Sequence, residues 1–353
     1  MERYIGLDVH AQSCTLAVVS AAGKRLGLEV VETNGAALRQ AFAGIPGDLH
    51  ICLEEGTQSA WVYELLKDRA EVAVIIPDAH RGPKDDARDA WALAESIRVG
   101  AIKRRVYKDY GPFSELRAAV RAYTMLRDDV RRTKNRLKAV YRSRGLMPPA
   151  GTPFHTERHQ AWARKLPPEQ ARSAEMLLEQ LTLQEALWAK AEERLASASK
   201  KHAAVKLLAT APAIGPIRAA QIVATVVTPH RFRTKRQFWA YCGLAVVMRS
   251  SANWERDRNG NWVRAKTLQS LGLNRNRNGA LKEVFKGAAH QVAIQMTGHP
   301  LHRDFVRLTE AGVKPNLAMV TIARRIAAAV LAMWKSGEVY EASKHASKIC
   351  AHA

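Results

Sequence analysis

Cysteine is scarce in this chain. There are four in 353 residues, Cys14, Cys52, Cys242 and Cys350, and no two form a C-x-x-C pair. That spacing excludes a zinc ribbon and a disulfide framework, and it fits a reducing cytoplasm. Long apolar runs are missing too. The opening MERYIGLDVH has no extended hydrophobic stretch, so no secretory signal is expected. No uninterrupted apolar run reaches the roughly 18 residues of a membrane span. The best run, TIARRIAAAVLAMW, is broken by Arg324 and Arg325, and no membrane partner is expected. Low-complexity tracts and solenoid repeats are absent. So is the Arg…His-x-x-Arg…Tyr arrangement of a tyrosine recombinase. His155 and His159 have the spacing of helical metal ligands, but no third ligand follows, and they read as surface residues.

What the chain has in abundance is positive charge, unevenly spread. Hydrophobic residues make up 47%, enough for a real core in two or three domains, and the formal charge is +22. Residues 1–100 carry 10 Lys+Arg against 15 Asp+Glu, whereas the remainder carries 45 against 18. A basic body suits a polyanion, because each neutralised phosphate releases counterions. An acidic module joined to it suits metal chemistry beside nucleic-acid binding.

Period-two patterns predict strands over 3–8, 13–21, 24–33, 50–55 and 71–77. Helices are predicted in NGAALRQAFAGI, TQSAWVYELLKDR and KDDARDAWALAESIRVG. Three strands in succession indicate a meander, and the alternation afterwards indicates parallel crossovers. This order matches the ribonuclease-H-like fold, which includes Holliday-junction resolvases. From Ser114 the pattern turns helical. Leu116, Tyr123, Val130 and Leu137 recur every seven residues, with Ala119, Leu126, Thr133 and Val140 as a companion row. GLMPPAGTP breaks it. A second run after Pro168 has the seam Leu177, Leu181, Gln184, Trp188, Ala191 and Leu195. Two such helices make either an antiparallel coiled-coil arm or part of an ordinary bundle. From about Val205, the Ile214-Gly215-Pro216 turn resembles a helix-hairpin-helix, whose backbone N–H groups meet DNA phosphates. HRFRTKRQFWAYCGL then interleaves basic residues with Phe232, Phe238, Trp239 and Tyr241, rings that either stack on bases or pack in a core. MRSSANWERDRNGNW reads as a polar loop, and helices close the chain.

The acidic start of KDDARDAWALAESIRVG admits two readings. Carboxylates in a first turn cap free N–H groups and complement the helix dipole. Alternatively, they join acids upstream. Asp8 ends the first strand, Glu54 and Glu55 end the fourth, and those strands are neighbours in a ribonuclease-H-like sheet. Asp86 and Asp89, three apart, share a helix face, while Asp85 points elsewhere. Carboxylates so gathered repel one another unless a cation such as Mg²⁺ joins them. Two ions about 4 Å apart clamp the attacking and leaving oxygens of an in-line phosphoryl displacement.

Taken in order, YIGLDVH, HICLEEG…WVYELL, KDDARDAWALAESIRVG, APAIGP, RFRTKRQFWAYCGL and SSANW resemble the transposases of the insertion-sequence-110 family, from about residue 3 to 340. These are DEDD transposases that act as bridge-RNA-guided recombinases. The resemblance implies an α/β-plus-α protein in three parts and a tail. A ribonuclease-H-like, resolvase-like DEDD domain would span 1–108 and a helical coiled-coil linker 109–203. A mostly helical transposase domain would span 204–342, with the tail at 343–353. It implies Asp8, Glu54, Asp86 and Asp89 as the acids, Glu54 being favoured over Glu55 by its spacing to WVY. It also implies a serine nucleophile a few residues after Gly243-Leu244. Ser251 is the choice and Ser250 the alternative. Arg231, Arg233, Lys235, Arg236, Arg249, Arg275, Arg277 and Gly215 would hold nucleic acid. Mg²⁺, DNA, a guide RNA and a second copy or more (dimer or tetramer) are the implied cofactor and partners, in a bacterial cytoplasm at the nucleoid. Ala213 stands where the family's Pro-Gly-Ile-Gly has its first glycine, Val246 where a proline is common, Ala252 after the serine in place of glycine, and Arg277 where the K-x-G-N motif has glycine. Two other readings use the same residues. A metal-dependent junction endonuclease needs the acids alone, and an inactive nucleic-acid-binding protein needs neither acids nor serine.

Overall fold

Strand alternation builds a six-stranded sheet in the first 114 residues. A computed structural model describes residues 1–76, 85–102, 105–106, 111–147, 154, 161–249, 254–264 and 269–342. The chain divides into two compact units, Met1–Ser114 and Glu115–Ala353. Ser250, Ser251, His155, His159 and the tail 343–353 lie outside the described residues.

In the first unit β1 (Glu2–Val9), β2 (Ser13–Ser20) and β3 (Arg25–Glu32) form an antiparallel meander. Helix α1 (Gly35–Ala43) carries the chain back to β4 (Asp48–Glu54), parallel to β1. Helix α2 (Ser59–Leu66) leads to β5 (Ala70–Ile75), parallel to β4. With the short β6 (Arg105–Val106) the sheet order is β3-β2-β1-β4-β5-β6. The central strands β1, β4 and β5 alternate between two covered faces, whereas β3 at the edge is exposed along most of its length. Ile5, Leu7, Leu49, Ile51, Leu53 and Val74 face α1 and α2, where Leu38, Phe42, Val62 and Leu66 complete a buried cluster. The opposite face takes α3 (Asp86–Arg98), whose Leu93 and Ile97 pack on Cys52 and Ala73. Gly6 permits this: a Cβ there would overlap the carbonyl oxygen of Ala90 and crowd the amide of Ala94. Burial pushes the Cys52 thiol up to about 12, so it behaves as an apolar core group.

In the second unit α4 (Ser114–Arg142) and α5 (Pro168–Lys200) run antiparallel. Lys201 meets Glu115 at 2.6 Å, Lys134 meets Glu185 at 2.7 Å, and Arg144 Nε donates to Gln170 Oε1 at 2.7 Å. Leu116, Ala119, Tyr123, Val130, Thr133 and Leu137 of the heptad rows are buried, and Val130, Leu137 and Tyr141 pack with Ala174 and Leu181 of α5. The rest is helical: α6 (Ala203–Leu208), α7 (Gly215–Val226), α8 (Lys235–Tyr241), α9 (Gly279–Gln295), α10 (Pro300–Glu310) and α11 (Pro315–Ser336). By length and apolar composition α11 qualifies to cross a membrane. Its polar groups have protein partners, however. Arg324 Nε donates to the Leu244 carbonyl at 2.6 Å, Arg325 pairs with buried Asp304, and Lys335 Nζ donates to the Phe232 carbonyl at 2.6 Å. The segment read as a polar loop contains strands instead. β7 (Val246–Arg249) pairs with β10 (Gln269–Leu273), and β8 (Trp254–Arg256) pairs with β9 (Trp262–Arg264). Turn residues dominate its composition, and the strands between them are only three or four residues long, too short to show a period.

Candidate active site

Asp8 and Asp86 meet at the end of the sheet where β1 and β4 finish, and register and helix position put Glu54 and Asp89 at that same end. In the parallel ladder Leu7 of β1 stands opposite Leu53 of β4, so Asp8 and Glu54 are the next pair along. By alternation both lie on the α3 face, with Tyr4, Gly6, His50 and Cys52. Glu55 falls on the other side of the strand, and its backbone N–H donates to the Ile75 carbonyl at 2.7 Å.

Helix α3 brings in the remaining two. Its first turn sorts the three aspartates into different duties. Asp85 is the N-cap: its Oδ1 accepts from the amides of Ala87 at 3.0 Å and Arg88 at 3.3 Å. The capping reading therefore holds for Asp85. Asp86 and Asp89 sit one turn before Ala90 and Leu93 and continue the buried face of the helix toward the strand ends.

Between β1 and α3 stands a residue that the sequence reading passed over. His10 Nε2 lies 3.1 Å from Asp8 Oδ2 and 3.1 Å from Asp86 Oδ1. Its backbone is fixed on both sides, its N–H donating to Ser13 O at 3.0 Å and its carbonyl accepting from Thr33 Oγ1 at 2.8 Å. One donor atom each from Asp8, His10 and Asp86 fall within 4.8 Å of one another. Two carboxylate oxygens and an imidazole nitrogen at that spacing fit a divalent cation of the Mg²⁺ or Mn²⁺ type. The signal was present, since His10 follows Asp8 by two residues and so continues its face.

The second unit carries the basic residues. Arg233, Lys235, Arg236, Arg275 and Arg277 are exposed, and the Lys235 ammonium lies 5.7 Å from the Trp239 ring centre. Arg231 is engaged within the protein. It donates to the Val226 carbonyl at 3.2 Å and lies over the rings of Phe232 and Tyr241. Phe232 and Phe238 are buried, and Trp239 Nε1 donates to the Arg324 carbonyl at 2.9 Å, so these aromatics are mainly core. Burial, and secondarily the neighbouring charges of Arg277 and Lys286, hold the Lys282 ammonium below its ordinary value. Gly215, at φ 57°, opens α7, whose first turn has no side-chain cap. Of Arg249 only the backbone, in β7, is described. Gly243 is required by packing, because a Cβ there would run into the Arg277 side chain. Asn278 donates its N–H to Tyr241 O at 2.9 Å, and its side chain caps α9.

Two family models match the chain. One, a DEDD model described as "Transposase", covers residues 5–143, and the other, "Transposase IS116/IS110/IS902 family", covers residues 205–306. A protein of Pseudomonas aeruginosa named "Probable family 20 transposase" is 27% identical over 234 residues, which is 63% of this chain and 68% of that protein. The first match contains all four acids, and the second contains Gly243-Leu244, both serines and the basic segment.

Proposed function

The chain is a member of the insertion-sequence-110 transposase family, an enzyme that cleaves DNA and transfers its strands, and on that premise we propose that it uses a divalent metal and recombines DNA through a phosphoserine intermediate under a bridge RNA's guidance. The observation that carries the reading is that Asp8 and Asp86 are drawn to one imidazole at the end of one sheet face, while Glu54 follows the Leu7–Leu53 ladder pair and Asp89 lies three residues along α3 from Asp86. The strand order supports a ribonuclease-H-like domain, and the antiparallel α4–α5 pair supports a coiled-coil linker.

Asp8, Glu54, Asp86 and Asp89, with His10 beside them, would hold Mg²⁺. Bound there, the metal neutralises charge on the phosphodiester oxygens. Ser251 Oγ is the nucleophile, with Ser250 as the alternative. Its bond to phosphorus forms as the phosphorus–oxygen bond to the departing deoxyribose breaks, and the hydroxyl proton passes to a base. The ester keeps the energy of the broken bond, so the freed hydroxyl of another strand reverses the step and no external energy source is required. Arg233, Lys235, Arg236, Arg249, Arg275 and Arg277, with the N-terminus of α7 at Gly215, hold backbone phosphates. Pairing with the guide RNA reads the sequence. The acids come from the same chain or from another copy in a dimer or tetramer, working at the bacterial nucleoid.

The test is covalent trapping. Protein, flanking-element RNA and labelled element-end DNA are combined with Mg²⁺ and resolved on a denaturing gel. We expect a protein–DNA adduct that Ser251→Ala and Asp86→Ala abolish and Ser250→Ala leaves. DNA cut without an adduct, indifferent to either serine and lost only in Asp86→Ala, would leave a metal-dependent junction endonuclease in its place.

A further inference from the structure

Two tryptophans stand in water on the β8–β9 hairpin. These strands pair with each other and with no further described strand. Trp254 is 58% exposed and Trp262 63%. Arg256 is two residues from Trp254 and directly opposite Trp262, so all three occupy one face. The Arg256 guanidinium lies 5.2 Å from the centre of the Trp262 ring. The turn is held by its own hydrogen bonds, Asp257 Oδ1 accepting from the amides of Asn259 at 2.9 Å and Asn261 at 2.8 Å, with Gly260 at φ 79°. A two-stranded sheet has no interior to fill. Two large indoles left in water cost hydration free energy that folding does not recover.

We propose that this face is a stacking platform for unpaired bases of the DNA strand being exchanged. An indole offers a flat face, and every base has one, so stacking tolerates any sequence. Inside a duplex those base faces are already covered by neighbouring pairs, and only edges show in the grooves. The rings therefore select strand that has left the helix, which strand transfer must create. The guanidinium beside Trp262 adds attraction for the adjoining phosphate. The inference rests on DNA being the substrate; it does not depend on the serine or on the acids.

The test measures equilibrium binding of the full-length protein to a labelled single strand of about 16 nucleotides, to its duplex and to the RNA of the same sequence, across a salt series. Trp254→Ala and Trp262→Ala are each expected to weaken single-strand DNA binding roughly 5- to 150-fold at unchanged salt slope, with duplex affinity retained. Trp254→Phe and Trp262→Phe keep most of the affinity, which separates stacking from a folding defect. Arg256→Gln reduces the salt slope by about 0.7. Unchanged single-strand affinity in both alanine variants, or equal loss on strand and duplex, would overturn the inference. So would loss on RNA alone, or a smaller oligomer with DNA affinity intact, which would mean that the rings are buried between copies. Wild-type protein that binds neither DNA probe would overturn the premise itself.

Discussion

Ala213 adopts φ 55°, a left-handed conformation that costs an L-residue about 1–2 kcal/mol and glycine little. Its carbonyl accepts from Arg218 Nη1 at 2.5 Å, which holds the strained peptide in place ahead of α7. Ala213→Gly is expected to stabilise the protein by about 0.5–1 kcal/mol, less than the strain because glycine also loosens the unfolded chain. A denaturant midpoint measures this; a lower midpoint would show that the turn is relaxed with alanine. The same scale shows what a sequence reading reaches. The strand-end places of Asp8 and Glu54 and the first-turn places of Asp86 and Asp89 were legible, because strand ends and helix turns fix where a carboxylate goes. Spacing to WVY favours Glu54 over Glu55, and strand alternation puts the two on opposite sides. His10 was overlooked because nothing in its residue type separates a ligand from a turn histidine until β1 and α3 are packed together. Ala213 was noticed as a missing glycine, and its positive φ gives the physical reason glycine belongs there.

At the scale of elements, the α3 face of the sheet carries charge at both ends. At the end away from Asp8, His50 of β4 lies between Glu2 of β1 and Glu71 of β5, stacks on Tyr4 at 5.1 Å, and Glu71 also binds Arg105 of β6. Burial on its own lowers the His50 value, but hydrogen bonds to Glu71 and Glu2 outweigh it and the net shift is upward from 6.5. Glu71 is lowered from 4.5 chiefly by Arg105 and then by His50. A raised histidine contributes stability that is complete below about pH 6.5 and fades as pH rises through its folded value. A lowered carboxylate contributes stability that is complete above about pH 4.5 and fades as pH falls through its folded value. The cluster therefore supports the sheet most between those limits. Because these groups are largely solvated, each limb is worth at most about 1 kcal/mol. Thermal unfolding against pH is expected to lose its upper limb in His50→Gln and keep the lower one; identical profiles in variant and wild type would assign the cluster no role. Most elements were legible too, since β1 to β5 alternate and α4 buries its heptad rows. The β8–β9 hairpin was not. Sequence patterns register burial, and its aromatic side chains are exposed.

For the molecule as a whole, the excess of positive charge in the last 253 residues sets how it meets DNA. Arg231, Arg233, Arg236 and Arg275 are all exposed, but Arg231 also donates to a carbonyl and lies over two rings. Replacing Arg233, Arg236 or Arg275 with glutamine is expected to lower the slope of log affinity against log salt by roughly 0.9 on duplex DNA. Arg231→Gln is expected to lower thermal stability instead. A salt series on the four variants separates the two groups, and an Arg231 slope change equal to the others would place it among the phosphate contacts. The antiparallel α4–α5 pair has a consequence of reach. At 29 residues and about 1.5 Å each, α4 is roughly 43 Å long. Duplex DNA rises about 3.4 Å per base pair, so the helix measures off some 13 base pairs, more than one full turn. Two copies joined end to end through such helix pairs would be kept more than a helical turn apart on DNA, so an insertion or deletion of a heptad in α4 and α5, carried by both copies, would change the spacing between cut sites in steps of about six base pairs.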